Sequence, residues 1–251
     1  MALNIEKEKF VVGIVCARSS SSRLPRKHLL EASGKTMLGH LVDRLKAVDS
    51  LNEIVIATTT NETDDILEEF AKNNEVKVFR GSEEDVMGRV LAAGEHFKAD
   101  AICEVTGDCP IIDPELVDQV IRTYCRNEAD YVNNGRGGVP DGMGAQVYSL
   151  SALQKSESMT NEPLDREHVT FHIRRNPDLF QPIYIAATKS NRWQSLGVTL
   201  DEKDDYLLLK TIIEHFGPDN QLFSCAELIE YLDANPEVVA INQHVKRKGD
   251  T

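Results

Sequence analysis

Residues 10–28 read Phe-Val-Val-Gly-Ile-Val-Cys-Ala-Arg-Ser-Ser-Ser-Ser-Arg-Leu-Pro-Arg-Lys-His. The first six form a short continuous apolar run, the pattern of a strand buried on both faces of a parallel sheet. Directly behind it, Ser19, Ser20, Ser21 and Ser22 stand between Arg18 and Arg23, followed by Pro25, Arg26 and Lys27. Ligands of open parallel sheets bind outside the carboxyl ends of the strands, so the loop falls where an anion would be held. Backbone amides of small residues can converge on an anion. Arginine suits bidentate phosphate contacts, and lysine supplies a compact charge. Neither G-x-x-x-x-G-K-[ST] nor G-x-G-x-x-G occurs, so a Walker loop and a dinucleotide fingerprint are both set aside. The plainer alternative is an exposed basic loop of no consequence.

The rest of the chain makes the folded reading the better one. A formal net charge of −13 over 251 residues excludes a general nucleic-acid binder, which needs a broad basic surface. The same charge disfavours an anionic membrane surface. A local positive pocket for a small anion is still available, and residues 18–27 gather four cations with no acid among them. The longest apolar run, Phe10–Ala17, is far short of the ~20 residues that a helical membrane span needs. The first nine residues are polar and mixed in charge, with no secretory pattern. The five cysteines show no C-x-x-C spacing and are expected to be reduced, buried thiols of a cytoplasmic protein.

Working outward, strands and helices are expected to alternate. Strands are read at residues 53–58, 76–79 and 101–106, and helices at 37–48, about 63–73, and around Val86–Ala93. Asp113-Pro114 is a strong helix start, an N-cap followed by the residue best suited to the first turn. The β-α-β-α order implies right-handed crossovers and an α/β fold with a doubly wound, mostly parallel sheet. After Asn133 the texture changes to a Gly-rich loop over 135–142, a strand at 145–148, a helical segment at 163–175 and a strand at 182–187. A strand at 197–200, a helix at 202–216 and a capping-box helix from Ser224 close the chain. No linker or repeat is visible.

Asp108 follows the fourth strand and faces the same crevice as the loop, where a carboxylate can hold Mg²⁺ together with phosphate oxygens and water. Asp201 also precedes a helix and on its own reads as an N-cap. His168 and His172 are four apart, but no third ligand accompanies them, so zinc is not indicated.

Ala17-Arg18-Ser19-Ser20-Ser21-Ser22-Arg23-Leu24-Pro25-Arg26-Lys27 resembles the A-R-x-x-S-x-R-L-P-x-K signature of the cytidylyltransferases, which make CMP-sialic acid and CMP-Kdo. The likeness is strongest to the spore-coat polysaccharide biosynthesis branch. It continues through 106–114, 139–142, 166–170 and 199–205, in order and over nearly the whole chain. The resemblance implies a Rossmann-like sheet of the nucleotide-diphospho-sugar transferase type in one domain, 1–251. Residues 134–195 would be an inserted acceptor-binding and oligomerisation segment of a cytoplasmic homodimer. It further implies attack by an acceptor oxygen on the α-phosphate of CTP, releasing pyrophosphate. Arg18 and Lys27 would neutralise the triphosphate with help from Arg23, while Ala17, Ser19–Ser22, Thr106 and Gly107 line the nucleotide site. Asp108 and Asp201 would hold Mg²⁺, and Asp141, Gln146, Glu167 and His168 would meet the acceptor.

The chain departs from the family pattern where glycine is common, at Ser20 and Arg26, and where carboxylates are common, at Gly144 and Gln146. Relatives also often carry arginine near Gly197. With those negative charges missing, the acceptor is expected to be an acidic or phosphorylated sugar or small molecule for surface polysaccharide or capsule synthesis. Transfer from GTP or UTP onto a sugar phosphate is the competing chemistry. A nucleotide-sugar glycosyltransferase would want a D-x-D pair, which Asp130 and Asp141 do not supply. A nucleotide sensor that has lost its chemistry is disfavoured by the presence of both Asp108 and Asp201.

Overall fold

Alternate residues of the opening strand feed two different cores. Val11 and Val15 belong to the cluster on one face of the sheet, Val12 and Ile14 to the cluster on the other, and all four are essentially inaccessible. This is the two-sided burial that a continuous apolar run requires. The computed structural model describes residues 9–246. The segment judged to lack a secretory pattern therefore lies, apart from Lys9, outside the described residues.

The first half runs β1 (Val11–Cys16), a short hairpin of β2 (Glu31–Ala32) and β3 (Lys35–Thr36), α1 (Met37–Lys46), β4 (Glu53–Thr59), α2 (Asp65–Asn73), β5 (Lys77–Gly81), α3 (Val86–His96), β6 (Ala101–Thr106) and α4 (Pro114–Cys125). The second half runs β7 (Tyr131–Asn133), β8 (Gln146–Ser149), α5 (Leu150–Met159), α6 (Pro163–Glu167), α7 (Phe171–Arg175), β9 (Pro182–Tyr184), α8 (Lys203–Phe216), α9 (Cys225–Ala234) and α10 (Pro236–Val239). The seven-stranded sheet has the order β5-β4-β1-β6-β8-β7-β9. Strand β8 is antiparallel to both of its neighbours and the other pairings are parallel, which gives the mostly parallel α/β sheet expected. A third core, from α8, α9 and the 196–200 segment, sits beside the sheet and packs on Met37 and Leu116.

Asp113 caps α4 through the Glu115 amide at 2.8 Å, and its other oxygen accepts from the Cys225 amide at the start of α9 at 2.7 Å. One carboxylate thus joins two helix starts. The capping box of Ser224 and Glu227 forms as read. The five cysteines are free thiols.

Three expectations need correction. Residues 197–200 are not a strand; they make a single bridge, Asp141 to Gly197. Their amides serve loops instead, Val198 to the Asp141 carbonyl and Leu200 to the Asp108 carbonyl, both at 2.8 Å. The helix over 163–175 is two short helices broken at His168–Thr170, so His168 is exposed while His172 is buried against Ser156. Four-residue spacing puts two side chains on one face only if the helix is continuous. Finally, β9 ends at Tyr184 rather than at residue 187, and β7, α5, α10 and the hairpin are elements beyond those expected.

Candidate active site

The loop after β1 closes on itself, with the Arg26 amide reaching the Ser19 carbonyl at 3.3 Å and the Lys27 amide reaching that of Leu24 at 3.3 Å. Closure puts Arg26 in the left-handed region at φ 54°. Glycine adopts that conformation without strain and arginine does not, which accounts physically for the family's usual residue there. Behind the loop lies Asp64, buried and overlooked from sequence. It accepts from the Ser19 amide at 2.7 Å, the Thr58 hydroxyl at 3.0 Å and both the amide and hydroxyl of Thr59. Burial alone would raise its carboxyl pKa, but the bonds from Thr59, Ser19 and Thr58 outweigh burial and hold it below the ordinary value.

Lys27, buried, points its ammonium between two carboxylates, 3.1 Å from Asp108 and 3.0 Å from Asp201. Desolvation works against its charge, but Asp108 and Asp201 more than compensate, and its pKa is raised. Asp108 is likewise opposed by burial, yet Lys27 and then Thr106 bring its pKa below the ordinary range. Asp201 does not serve as the N-cap of α8; Glu202 takes that role in a capping box with Asp205. The Asp201 carboxylate is thereby left to Lys27 and to Arg23, whose guanidinium lies 2.9 Å away. The Leu200-to-Asp108 backbone bond brings the two aspartates together across 93 residues of chain, the difference between positions 201 and 108.

At the other end of the loop, Arg18 pairs with Glu83 at 3.1 Å, and the Ser20 hydroxyl donates to the same oxygen at 2.7 Å. Bonds from Ser20 and Asn61 lower the Glu83 pKa. Gly107 lies against the start of the loop; a Cβ there would meet the Ala17 Cβ and the Cys16 carbonyl at 3.0 Å. His28 is buried, its Nδ1 3.0 Å from the Gly107 carbonyl, and burial followed by repulsion from Lys27 pushes its pKa down to about 4.

A cleft runs over these residues in two compartments. The first is lined by Ala17, Arg18, Ser20–Ser22, Arg23, Lys27 and Asp201, with Thr106, Gly107 and Asp108 on its floor. Ser19 does not line it, because its amide is turned inward to Asp64. The second compartment contains Asp141, Gln146, Arg136, Arg174 and Thr199, and Glu167, His168, Cys16, Val86 and Thr106 border both. The residues expected to meet the acceptor are therefore brought together beside the serine-lined basic loop, with Glu167 and His168 at the junction. Gly144 has a packing reason to lack a side chain, since its Cβ would sit 2.6 Å from the Gly135 Cα.

Gln146 bridges a polar row across β6, β8 and β7. Its oxygen accepts from Tyr131 and Thr170, each at 2.9 Å, and its nitrogen donates to Glu104 at 3.1 Å. Glu104, a second residue overlooked from sequence, also accepts from Tyr148 at 2.7 Å. Burial pushes its carboxyl up to about 7, against the Tyr148 bond and the charges of Arg174 and Arg89. A glutamate in an apolar strand pattern gave no cue to this.

Among the described residues no group of three or more His, Cys, Asp or Glu side chains is placed to hold a metal ion. Asp108 and Asp201 converge as a pair of hard oxygen donors. Such a pair suits a magnesium ion that keeps its waters and takes its remaining ligands from phosphate. No helix among the described residues is long and apolar enough to cross a membrane.

The comparisons with known proteins agree with this architecture. A family model described as cytidylyltransferase matches residues 12–221. The chain is 34% identical over 235 residues to the spore coat polysaccharide biosynthesis protein SpsF of Bacillus subtilis, covering 90% of this chain and 95% of that one. It superimposes on the structure of a cytidylyltransferase from Leptospira borgpetersenii with a TM-score of 0.88 and 31% identity, covering 96% of this chain and 100% of the other. A CMP-2-keto-3-deoxy-manno-octonic acid synthetase solved in complex with CTP shares the fold at a TM-score of 0.62 and 18% identity, over 82% of this chain and 99% of that one. With a nucleotidyltransferase fold and a matching sequence over most of its length, this chain is a member of the cytidylyltransferase family.

Proposed function

We propose that the protein transfers a cytidylyl group from CTP to an oxygen of an acidic or phosphorylated sugar, or a similar small molecule, in surface polysaccharide synthesis. The observation that carries the reading is Lys27 held between Asp108 and Asp201 at the mouth of a basic, serine-lined loop. A triphosphate entering the first compartment would take Arg18 from Glu83 and Lys27 from the aspartates, exchanging carboxylates for phosphate oxygens of like charge. Released in this way, Asp108 and Asp201 would hold Mg²⁺, which supplies charge stabilisation at the α-phosphate and the departing pyrophosphate. Arg18, Arg23 and Lys27 orient the phosphates for in-line attack, and the walls of the cleft position the acceptor oxygen. Arg136 and Arg174 in the second compartment, and the neutral Gly144 and Gln146, favour an anionic acceptor. The printed name of the Bacillus relative supports a role in polysaccharide synthesis, and the CTP complex of the more distant synthetase supports the choice of nucleotide. We place the enzyme in the cytoplasm, as a homodimer in which residues 134–195 provide the contact.

Pyrophosphate release, measured with each nucleoside triphosphate, with and without Mg²⁺, tests the reading. The acceptor panel should contain 3-deoxy-manno-octulosonate, other sugar acids, sugar phosphates and neutral sugars. Release that requires CTP, Mg²⁺ and an acidic or phosphorylated acceptor is expected. A preference for GTP or UTP, or activity confined to neutral sugars, would contradict it.

A further inference from the structure

The second compartment has a carboxylate in its wall that the transfer reaction does not require. Glu104 lies on β6 directly opposite Gln146 of β8, four residues before Asp108 and on the same run of chain. Only 7% of it is exposed, and it lines the compartment. Tyr148 Oη at 2.7 Å and Gln146 Nε2 at 3.1 Å both donate to one oxygen, Oε2. Tyr131 and Thr170 hold the far end of Gln146, so the carboxylate cannot rotate without breaking a chain of bonds spanning three strands. Oε1 is the oxygen left for a group inside the compartment.

Burying a carboxylate is costly unless its hydrogen bonds are satisfied. A core position could have been filled at less cost by an apolar side chain. Sites with a fixed acceptor of this kind discriminate strongly, because a ligand that fails to donate leaves the buried oxygen unpaired. Its Oε2 is pinned by Tyr148 and Gln146, which suits a fixed acceptor rather than a group that must carry a proton.

We propose that Glu104 is a specificity-determining residue for the acceptor, accepting a hydrogen bond at Oε1 from a hydroxyl that is not the attacking one. The assignment rests on the cytidylyltransferase reading of the site. It narrows the acceptor to a polyhydroxylated molecule, with its anionic group placed away from Glu104. It also makes acceptor binding depend on pH. The groups that act on Glu104 are Tyr148 from β8, Arg89 from α3 and Arg174 from α7, with Tyr131 on β7 and the Cys16 and Cys103 thiols on β1 and β6 themselves feeling its charge. The ionised form is the stronger acceptor, so acceptor affinity should improve as pH rises through about 7.

The experiment is steady-state pyrophosphate release from the full chain with CTP, Mg²⁺ and the acceptor panel above. Each responsive acceptor is compared with its singly deoxygenated analogues. Glu104→Gln keeps the bonds from Tyr148 and Gln146 and is the principal variant; Glu104→Asp tests rescue, and melting temperatures verify that both fold. The substitution to glutamine should raise the KM for the acceptor about 10- to 100-fold while the KM for CTP stays within about twofold. One deoxy analogue should show a similar loss with the wild-type protein and no further loss with the variant. The rise in affinity through neutral pH should vanish in Glu104→Gln. If wild type releases pyrophosphate but the variant's acceptor KM is unchanged, the assignment fails and the reading of the site stands. If wild type releases no pyrophosphate with any acceptor, the reading of the site falls and the assignment with it.

Discussion

The two compartments of the cleft are built on opposite electrostatic plans. In the first, opposite charges pair directly, Lys27 with Asp108 and Asp201, Arg23 with Asp201, and Arg18 with Glu83. On the proposed function, each of these pairs is traded for a phosphate contact. In the second, a single buried carboxylate is held by neutral donors, Tyr148 and Gln146, with Tyr131 and Thr170 behind them. Ion pairs that line a cleft can be exchanged for the charges of a ligand, whereas a satisfied buried network resists rearrangement. On the proposed function, the comparison teaches that the nucleotide half is made to be displaced and the acceptor half to stay fixed.

Breaking the first plan at its centre should have the largest effect. Asp108→Asn removes a charge from the lysine bridge and from the carboxylate pair that would hold Mg²⁺ on the proposed function, and a loss of pyrophosphate release of at least ~100-fold is expected in initial-rate assays. Structure should survive, since the asparagine oxygen can still accept from Lys27. A melting temperature close to wild type would show that the loss is chemical.

Asp64→Ala attacks the support beneath the loop rather than the loop. It strands the Ser19 and Thr59 amides and two hydroxyls in a buried position. Denaturant unfolding should show a cost of about 3 kcal/mol. The KM for CTP should rise more than that for the acceptor. An equal rise in both would mean that Asp64 supports the whole cleft.

Titration separates the compartments by sign. His28, beneath the first, has its folded pKa depressed to about 4, so the stability it provides is present above its unfolded value near 6.5 and is lost as pH falls toward 4. Glu104, in the second, has its folded pKa raised to about 7, so its folded state is favoured below the unfolded value near 4.5 and loses stability as pH rises toward 7. The two slopes oppose each other over most of that range. Each group accounts for on the order of 3 kcal/mol over its own window. Relative to wild type, Glu104→Gln should make the melting temperature climb more steeply from pH 5 to 7, and His28→Gln should make it fall. Parallel curves for all three proteins would refute the assignment of opposite signs.

The smallest expected effect concerns Arg26. Relief of a left-handed arginine, about 1 kcal/mol, is partly offset by the added flexibility of glycine in the unfolded chain. Arg26→Gly should therefore gain about 0.5 kcal/mol in chemical denaturation. The KM for CTP should change little, because Arg26 is absent from the lining of the first compartment.

These contrasts also show what sequence could and could not disclose. The parallel strands, the anion loop and its cations were legible because local apolar runs and charge density carry them. Asp108 was legible from its place at a strand end, and Asp201 from the family resemblance. Glu104 and Asp64 were not, because each matters through partners far away in the chain, 42 residues for Glu104 with Gln146 and 45 for Asp64 with Ser19. The apparent strand at 197–200 has the apolar residues of a strand, but its backbone bonds go to loops. The helix over 163–175 has suitable residues but is interrupted at His168, where the chain turns to face both compartments.

The antiparallel β8 has a consequence for the order in which the molecule is made. Strands β5, β4, β1 and β6 are available once residue 106 has been synthesised, but the partner for the free edge of β6 begins only at residue 146. Until then β6 would present unpaired backbone groups, the kind of template through which nascent sheets associate wrongly. The loop after β1 could be assembled early in synthesis, whereas the wall of the second compartment must wait for the strand that carries Gln146 and Tyr148. A chain stalled between these points would have half a cleft and an unpaired strand edge.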